Sequence, residues 1–301
     1  DPGCIPITHS NSIPHGSMKI AIIGQTERAD VWEKHLRSFR SVQEVVSTSR
    51  LDFVGQADAC LLIDDSEDKL GQVLKAVKLG YPTFLVSRLS CDIDRLRQIH
   101  AASQEAGAPV QFSHWPTFAS SMHWMRQQVP KPTWYSATKH LLAAAYTENA
   151  DQLSAHWIDE VALVCKWFDS SVQRMSAHAH MVKGFPTGIH IQLHFENGST
   201  AVIAVSLVHS NPSHVRIASD PQMQLEIDVT SQQIRSITFE QGAHLSIQKY
   251  SFDASDTAEL SLGRFLKAVQ QRKPVSFSTY DALRTATIVD QIEKQIARQG
   301  P

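Results

Sequence analysis

A chain of 301 residues is long enough for two domains and a sizeable core. Its 28 Lys and Arg against 30 Asp and Glu leave a formal net charge of −2, so no basic surplus points to nucleic acid and no block of like charge to a disordered tail. No apolar stretch approaches the roughly 18 residues of a membrane span, and four scattered cysteines without a CxxC pair favour a reduced, cytoplasmic protein over a disulfide framework or a zinc site.

Residues 1–17 are rich in Pro, Ser, His and Gly, lack periodicity and end in Gly16-Ser17. They read as an appended leader, with the fold starting at Met18, and they lack the apolar core of a secretory signal. The run 20–23 meets Gly24 without a polar interruption, the pattern of a strand buried on both faces. Ala29, Val31, Trp32, His35 and Leu36 then share one helical face. Strand, glycine turn and helix together suit the opening unit of a dinucleotide-binding fold. The fingerprint G-x-G-x-x-G/A reads Gly24-Gln25-Thr26-Glu27-Arg28-Ala29. Thr26 thus stands where a glycine lets the backbone approach a pyrophosphate, and Glu27 adds a negative charge. An ordinary strand-to-helix turn is the alternative.

Residues 42–46 form a second strand, ending in Ser47-Thr48-Ser49-Arg50. A hydroxyl-rich end with an arginine suits a 2′-phosphate, which favours NADP over NAD if a cofactor binds; a plain polar turn is the alternative. Only a short link separates this end from the apolar run 59–63, whereas a βαβ crossover needs a dozen or more residues. This half of the sheet is therefore expected to be trimmed. The acids of 64–68 open a helix over 69–79, where they complement its dipole but would repel a nearby diphosphate. A strand at 81–87 follows, then a helix to Ala106 capped by Asp92, a strand at 108–112, and a helix to about Val129. Pro130 and Pro132 mark a boundary.

Beyond it the pattern changes. Residues 133–138 are strand-like, and 155–168 are helical, with Trp157, Val161, Val164 and Phe168 on one side. Strands are expected at 172–180, 188–196, 200–208, 214–218, 223–229, 234–239 and 244–250, with Asn197-Gly198 centring a hairpin turn. Helices at 260–271 and 280–298 close the chain. The fold class is α/β: a trimmed, Rossmann-type parallel sheet over 18–115, then an α+β domain with a largely antiparallel open sheet over 116–301.

This order, with several local strings, resembles the glucose–fructose oxidoreductase / inositol dehydrogenase family (Gfo/Idh/MocA). The strings are residues 18–24, 57–63 (Ala-Asp-Ala-Cys-Leu-Leu-Ile), 76–82 (Ala-Val-Lys-Leu-Gly-Tyr-Pro), Glu105-Ala106-Gly107, the hairpin 182–205, and 265–296 with its Asp281-Ala282-Leu283-Arg284. The resemblance implies a Rossmann domain, a second domain whose open sheet forms a homo-oligomer, and hydride transfer between NAD(P) and a sugar-like hydroxyl or carbonyl compound. It makes Gly24, Gln25, Thr26, Ala29, Ser49, Arg50, Asp64 and Ser87 the cofactor-binding candidates.

The chain departs from the family at its anchor sites. The family's Glu-Lys-Pro, whose lysine orients substrate and assists proton transfer, falls on Val86-Ser87-Arg88. Ser87 carries no charge, and Arg88 stays protonated, fit to bind but not to act as a base. The family's Asp-x-Gly-x-His falls on His156-Trp157-Ile158-Asp159-Glu160, which keeps the i, i+4 spacing with the chemistry inverted. Its Thr-Pro turn falls on Asp64-Asp65.

His156 and Glu160, with Arg88, are the catalytic candidates, since a glutamate one turn away can raise a histidine's pKa; a surface pair is the alternative. His178/His180 and His190/His194 have same-face strand spacing, which strand alternation explains without a metal. His114-Trp115 lies where the chain leaves the Rossmann half, either lining a pocket or packed in the core. Three functional readings remain. One is a diverged protein whose usual dehydrogenase chemistry is lost or rerouted, since one acid–base group is commonly worth about 10²–10⁴-fold. The second is a working NADP-dependent oxidoreductase built on His156, Glu160 and Arg88. The third is a non-catalytic oligomeric partner. The ligand, if there is one, is expected to be a sugar-like small molecule, with no nucleic acid, membrane or metal involved.

Overall fold

A computed structural model describes residues 17–24, 26–48, 51, 57–142, 151–240, 244–252 and 257–298, so residues 1–16 of the expected leader lie outside it. Five parallel strands form the first sheet: β1 (Met18–Gly24), β2 (Val42–Thr48), β3 (Ala59–Ile63), β4 (Thr83–Val86) and β5 (Val110–Phe112), in the order β2-β1-β3-β4-β5. Strand alternation sends neighbouring residues into two different cores. Ile20, Ile22, Leu61 and Phe84 pack with Trp32 and Leu36 of α1 (Thr26–Arg37) and with Leu262, Phe265 and Leu266 of α7 (Thr257–Gln271). Ala21, Ile23, Leu62 and Leu85 pack on the other side, with Val73 of α2 (Lys69–Lys78), Leu96 and Ile99 of α3 (Ile93–Ala106), and Ala282 and Ala286 of α8 (Thr279–Ala297).

The sheet is trimmed as expected: among the described residues no strand pairs beyond β2. The strand order reverses between β1 and β3, which opens a crevice beyond the carboxyl ends of Gly24 and Ile63. Gly24 is needed for that approach, since a Cβ there would meet the Ile63 carbonyl oxygen at 2.6 Å.

The second sheet has eight strands in the order β13-β12-β11-β10-β6-β9-β8-β7. They are β6 (Trp134–Leu142), β7 (Val172–Val182), β8 (Phe185–Phe195), β9 (Thr200–His209), β10 (Ser213–Ser219), β11 (Met223–Asp228), β12 (Gln233–Glu240) and β13 (His244–Ser251). Only β6 and β9 run parallel; the other neighbours are antiparallel. Ile189, Ile191 and Leu193 point inward with Ala201, Ile203 and Val205, while His190, Gln192 and His194 alternate outward. The inward face packs on α6 (Asp151–Trp167), whose Trp157, Val161 and Val164 are buried along the expected side, together with Phe168 just beyond its end.

Local chemistry fixes several junctions. Asp92 caps α3 by accepting from Arg95 N at 3.0 Å. Gly198 has φ +84° in the Asn-Gly turn, and Asn197 Oδ1 accepts from Ser199 N. A second hairpin turn, with Lys183 at φ +50° and Gly184 at φ +82°, carries β7 and β8 further than the sequence suggests. The helix expected to run to Val129 is two pieces, α4 (Trp115–Phe118) and α5 (Ser120–Gln128), because Ala119 between them takes ψ 131°. The C-terminal helix ties the two sheets together. Ala282 and Ala286 of α8 belong to the first core, Val289 and Ile292 to the second.

Candidate active site

A cavity of about 800 Å³ opens where the carboxyl ends of β4 and β5 face α6 and β6. Beyond β4, the Ser87 backbone is held at both ends by one side chain. Ser87 N donates to Ser113 Oγ at 2.9 Å, and Ser113 Oγ donates to Ser87 O at 2.8 Å. The Ser87 hydroxyl donates to Asp65 Oδ1 at 2.9 Å. It also accepts from Lys69 Nζ at 2.9 Å, and the same ammonium donates to Arg88 O at 3.0 Å.

That contact alters the sequence picture. Residue 87 has no charge of its own, yet an ammonium stands beside it, supplied by the first residue of α2. The α2 amino end and the β4 carboxyl end lie at the same edge of a parallel sheet, which brings residues 18 apart in sequence within hydrogen-bond reach. Burial lowers the Lys69 pKa from its usual value, partly offset by Asp65 and Asp64.

The opposite wall is α6. Its consecutive acids, Asp159 and Glu160, turn different ways. Glu160 is 1% exposed and faces the second sheet. It accepts from Tyr135 Oη at 2.8 Å, His214 Nε2 at 2.9 Å, Arg216 Nε at 3.0 Å and Arg216 Nη2 at 2.6 Å. Burial alone would raise its pKa, but the Arg216 guanidinium and the His214 bond hold it well below the carboxylate range. It therefore stands behind the cavity wall as a fixed anion. Asp159 lines the cavity, where burial and the neighbouring Glu160 charge push its pKa up to about 6.

His156 also lines the cavity, but Glu160 does not raise its pKa as the helix spacing suggested. Burial, with Lys139, Arg88 and His214 nearby, lowers it to about 4, so the ring is neutral at pH 7. Lys139, on the inward phase of β6, completes this wall; burial lowers its pKa. His114 and Trp115 divide the two roles open to them. Trp115 lines the cavity, while His114 is fully buried and braces α6. His114 Nε2 donates to Asp159 O at 2.9 Å, and Nδ1 accepts from Thr117 Oγ1 at 2.7 Å. Burial drives its pKa down to about 4.

The adjoining β1–β3 crevice is where a dinucleotide would lie. Gly24 and Ile63 form its floor, and α1 begins at Thr26, presenting its amino end there. Arg28 on α1 pairs with Asp65 across the crevice and, with the Ser87 hydroxyl, holds that carboxyl below its usual pKa despite burial. The Asp65 charge, which would repel a diphosphate in the crevice, is thereby offset, while the pair itself spans the seat. Ala29 is buried against the sheet, and Asp64 Oδ1 accepts from Ser66 N at 2.7 Å in its own turn. Gln25, Ser49 and Arg50 lie outside the described residues, as does the Thr26 side chain. His178 stands opposite His190, and among the described residues no three His, Cys, Asp or Glu groups gather closely enough to hold a metal ion. No helix among them is long and apolar enough to cross a membrane.

No family model matches the chain, and no curated protein matches it in sequence. Solved structures do match along nearly the whole length. UDP-N-acetylglucosamine 3-dehydrogenase from Acidithiobacillus ferrooxidans is similar at 12% identity and TM-score 0.81, over 93% of this chain and 98% of that one. The NAD binding oxidoreductase from Klebsiella pneumoniae is similar at 9% identity and TM-score 0.79, over 94% and 97%. Apo scyllo-inositol dehydrogenase from Lactobacillus casei is similar at 13% identity and TM-score 0.70, over 95% and 98%. The chain has the Gfo/Idh/MocA dehydrogenase fold.

Within this fold, three cavity residues escaped the sequence reading as functional groups. Asp159 had a visible signal, since it lies at i+3 from His156 and so near it on the helix. Lys139 had one too, alternating in phase with buried Tyr135 and Ala137. Lys69 had none beyond its position at a helix start.

Proposed function

We propose that the chain is an NAD(P)-dependent oxidoreductase of small hydroxylated or carbonyl compounds, its proton chemistry rerouted to new residues rather than lost. The observation that carries this is the Lys69 ammonium, 2.9 Å from the Ser87 hydroxyl at the head of the cavity. A nicotinamide dinucleotide in the β1–β3 crevice would supply or take up the hydride. Lys69 Nζ donates to the reacting substrate oxygen and stabilises negative charge developing there. Asp159, with a pKa of about 6, takes the hydroxyl proton in the oxidative direction and returns it in reduction. Neutral His156 hydrogen-bonds a substrate hydroxyl, and Arg88 binds without exchanging protons. Glu160 positions α6. The names of the structural neighbours, a nucleotide-sugar dehydrogenase and an inositol dehydrogenase, support a sugar-like substrate.

The test is titration of NADPH and NADH, followed by the fluorescence of Trp115 in the cavity wall and Trp32 stacked on it at 6.2 Å, with a turnover screen on polyols and keto-sugars. Micromolar binding is expected, NADPH the tighter because of Ser49 and Arg50. Lys69→Met is expected to lose about 10²–10⁴-fold in kcat while still binding cofactor. Full turnover in Lys69→Met would overturn the assignment. A second reading, a ligand-binding partner without redox chemistry, is favoured by the Arg28–Asp65 ion pair spanning the crevice; absence of any response to either cofactor would establish it. The uncovered face of the second sheet exposes Phe239 (75%), Leu245 (53%) and Ile247 (53%), which supports a homo-oligomer through that sheet. A strict monomer in light scattering would exclude it.

A further inference from the structure

We infer that the molecule bound in this cavity carries an anionic group, a carboxylate or a phosphate, on a hydroxylated skeleton. The inference takes the cavity to be the substrate site proposed above. Three cations from three separate elements line it: Lys69 at the start of α2, Arg88 after β4, and Lys139 on β6. Among the described residues none of the three has a carboxylate within ion-pair distance. Among the described residues Asp159 is the sole acid in the cavity lining. The next acids act on these lysines only through space: Asp64 and Asp65 on Lys69, with Asp65 bonded to Arg28 and Ser87, and Glu160 on Lys139 while bonded to Arg216 and His214.

Positive charge is therefore in excess at a site removed in part from water. Burying cations without a contacting anion is unfavourable: burial lowers the pKa of Lys69 and Lys139, and the carboxylates acting through space, Asp65 and Asp64 on Lys69 and Glu160 and Asp159 on Lys139, only partly offset it. A neutral polyol filling the cavity would strip water from these groups and return no charge to them. An anion returns it through charge-assisted hydrogen bonds, with Arg88 offering the planar fork that carboxylates and phosphates accept. The excess also raises the local concentration of acidic ligands before contact. The substrate class thereby narrows from sugars in general to acidic ones.

The test measures binding of D-glucuronate, D-glucose 6-phosphate and D-glucose to the whole chain without cofactor, by tryptophan fluorescence and thermal shift. At least one acidic probe is expected to bind about tenfold tighter than glucose, consistent with one charge-assisted contact. The margin should shrink in about 0.5 M salt, where the Debye length falls to a few ångströms. Which acid binds tighter distinguishes carboxylate from phosphate. Lys139→Gln and Arg88→Gln should each bring the acidic probe toward the glucose level. Should either variant misfold, the salt response of the unaltered chain decides. If neither acid outbinds glucose, or the margin ignores salt, the inference falls. Acid binding without any NADPH or NADH binding would sink the oxidoreductase reading and leave this inference standing. Cofactor binding with glucose and glucuronate held alike would do the reverse.

Discussion

Replacing Asp159 by Asn should stabilise the fold while disabling the chemistry. Burial and the Glu160 charge raise the Asp159 pKa from 3.8 to about 6. At about 1.4 kcal/mol per unit, that gap amounts to about 3 kcal/mol. The side chain keeps some exposure toward the cavity, so this is a ceiling. The sign follows from the direction. The folded state holds this proton more tightly than the unfolded state does. The favourable contribution is complete below the unfolded pKa and is lost as pH rises through about 6. Asparagine stays neutral throughout, so the gain should approach about 3 kcal/mol at pH 8 and vanish near pH 4. The bond from His114 reaches the Asp159 backbone carbonyl and survives the change. Urea unfolding at pH 5 and pH 8 measures the difference, with turnover followed in parallel. A variant no more stable than its parent at pH 8, or one whose gain ignores pH, would refute the account of this carboxyl.

Two further outcomes follow from the buried groups behind the cavity. Glu160→Gln leaves Arg216, 3% exposed, without its anion, and should cost about 3–5 kcal/mol in urea unfolding; Glu160→Leu with Arg216→Met should recover most of it. A double variant as unstable as the single would show that the cost is not an unpaired charge. His114 should remain uncharged far below the ordinary histidine range, because burial lowers its pKa from 6.5 to about 4. With the folded pKa depressed, its contribution is complete above pH 6.5 and is lost as pH falls toward 4, about 3 kcal/mol in all. Ring titration by NMR checks this, and a midpoint near 6.5 contradicts it.

Much of the fold is legible because its signals are local. The unbroken apolar run to Gly24, the period-two strands of the second sheet and the Asn197-Gly198 turn each report on a few adjacent residues. The short link before β3 likewise exposes the trimmed edge, since chain length limits what a crossover can hold. The Lys183-Gly184 turn and the break at Ala119 are less legible, because a positive φ at lysine and one extended residue within a helical pattern leave little trace in composition.

The candidate site divides along the same line. By itself the sequence determined that residue 87 is uncharged, that His156 and Glu160 lie one turn apart, and that two acids adjoin on that helix. Only the tertiary structure decided that Lys69 reaches Ser87, that Glu160 is spent on Arg216 and His214, and that Asp159 rather than Glu160 meets the cavity. Spacing fixes how side chains are arranged around one helix. The rotation of that helix against two sheets, and the common edge shared by α2 and β4, are set by cores assembled from residues far apart in the chain.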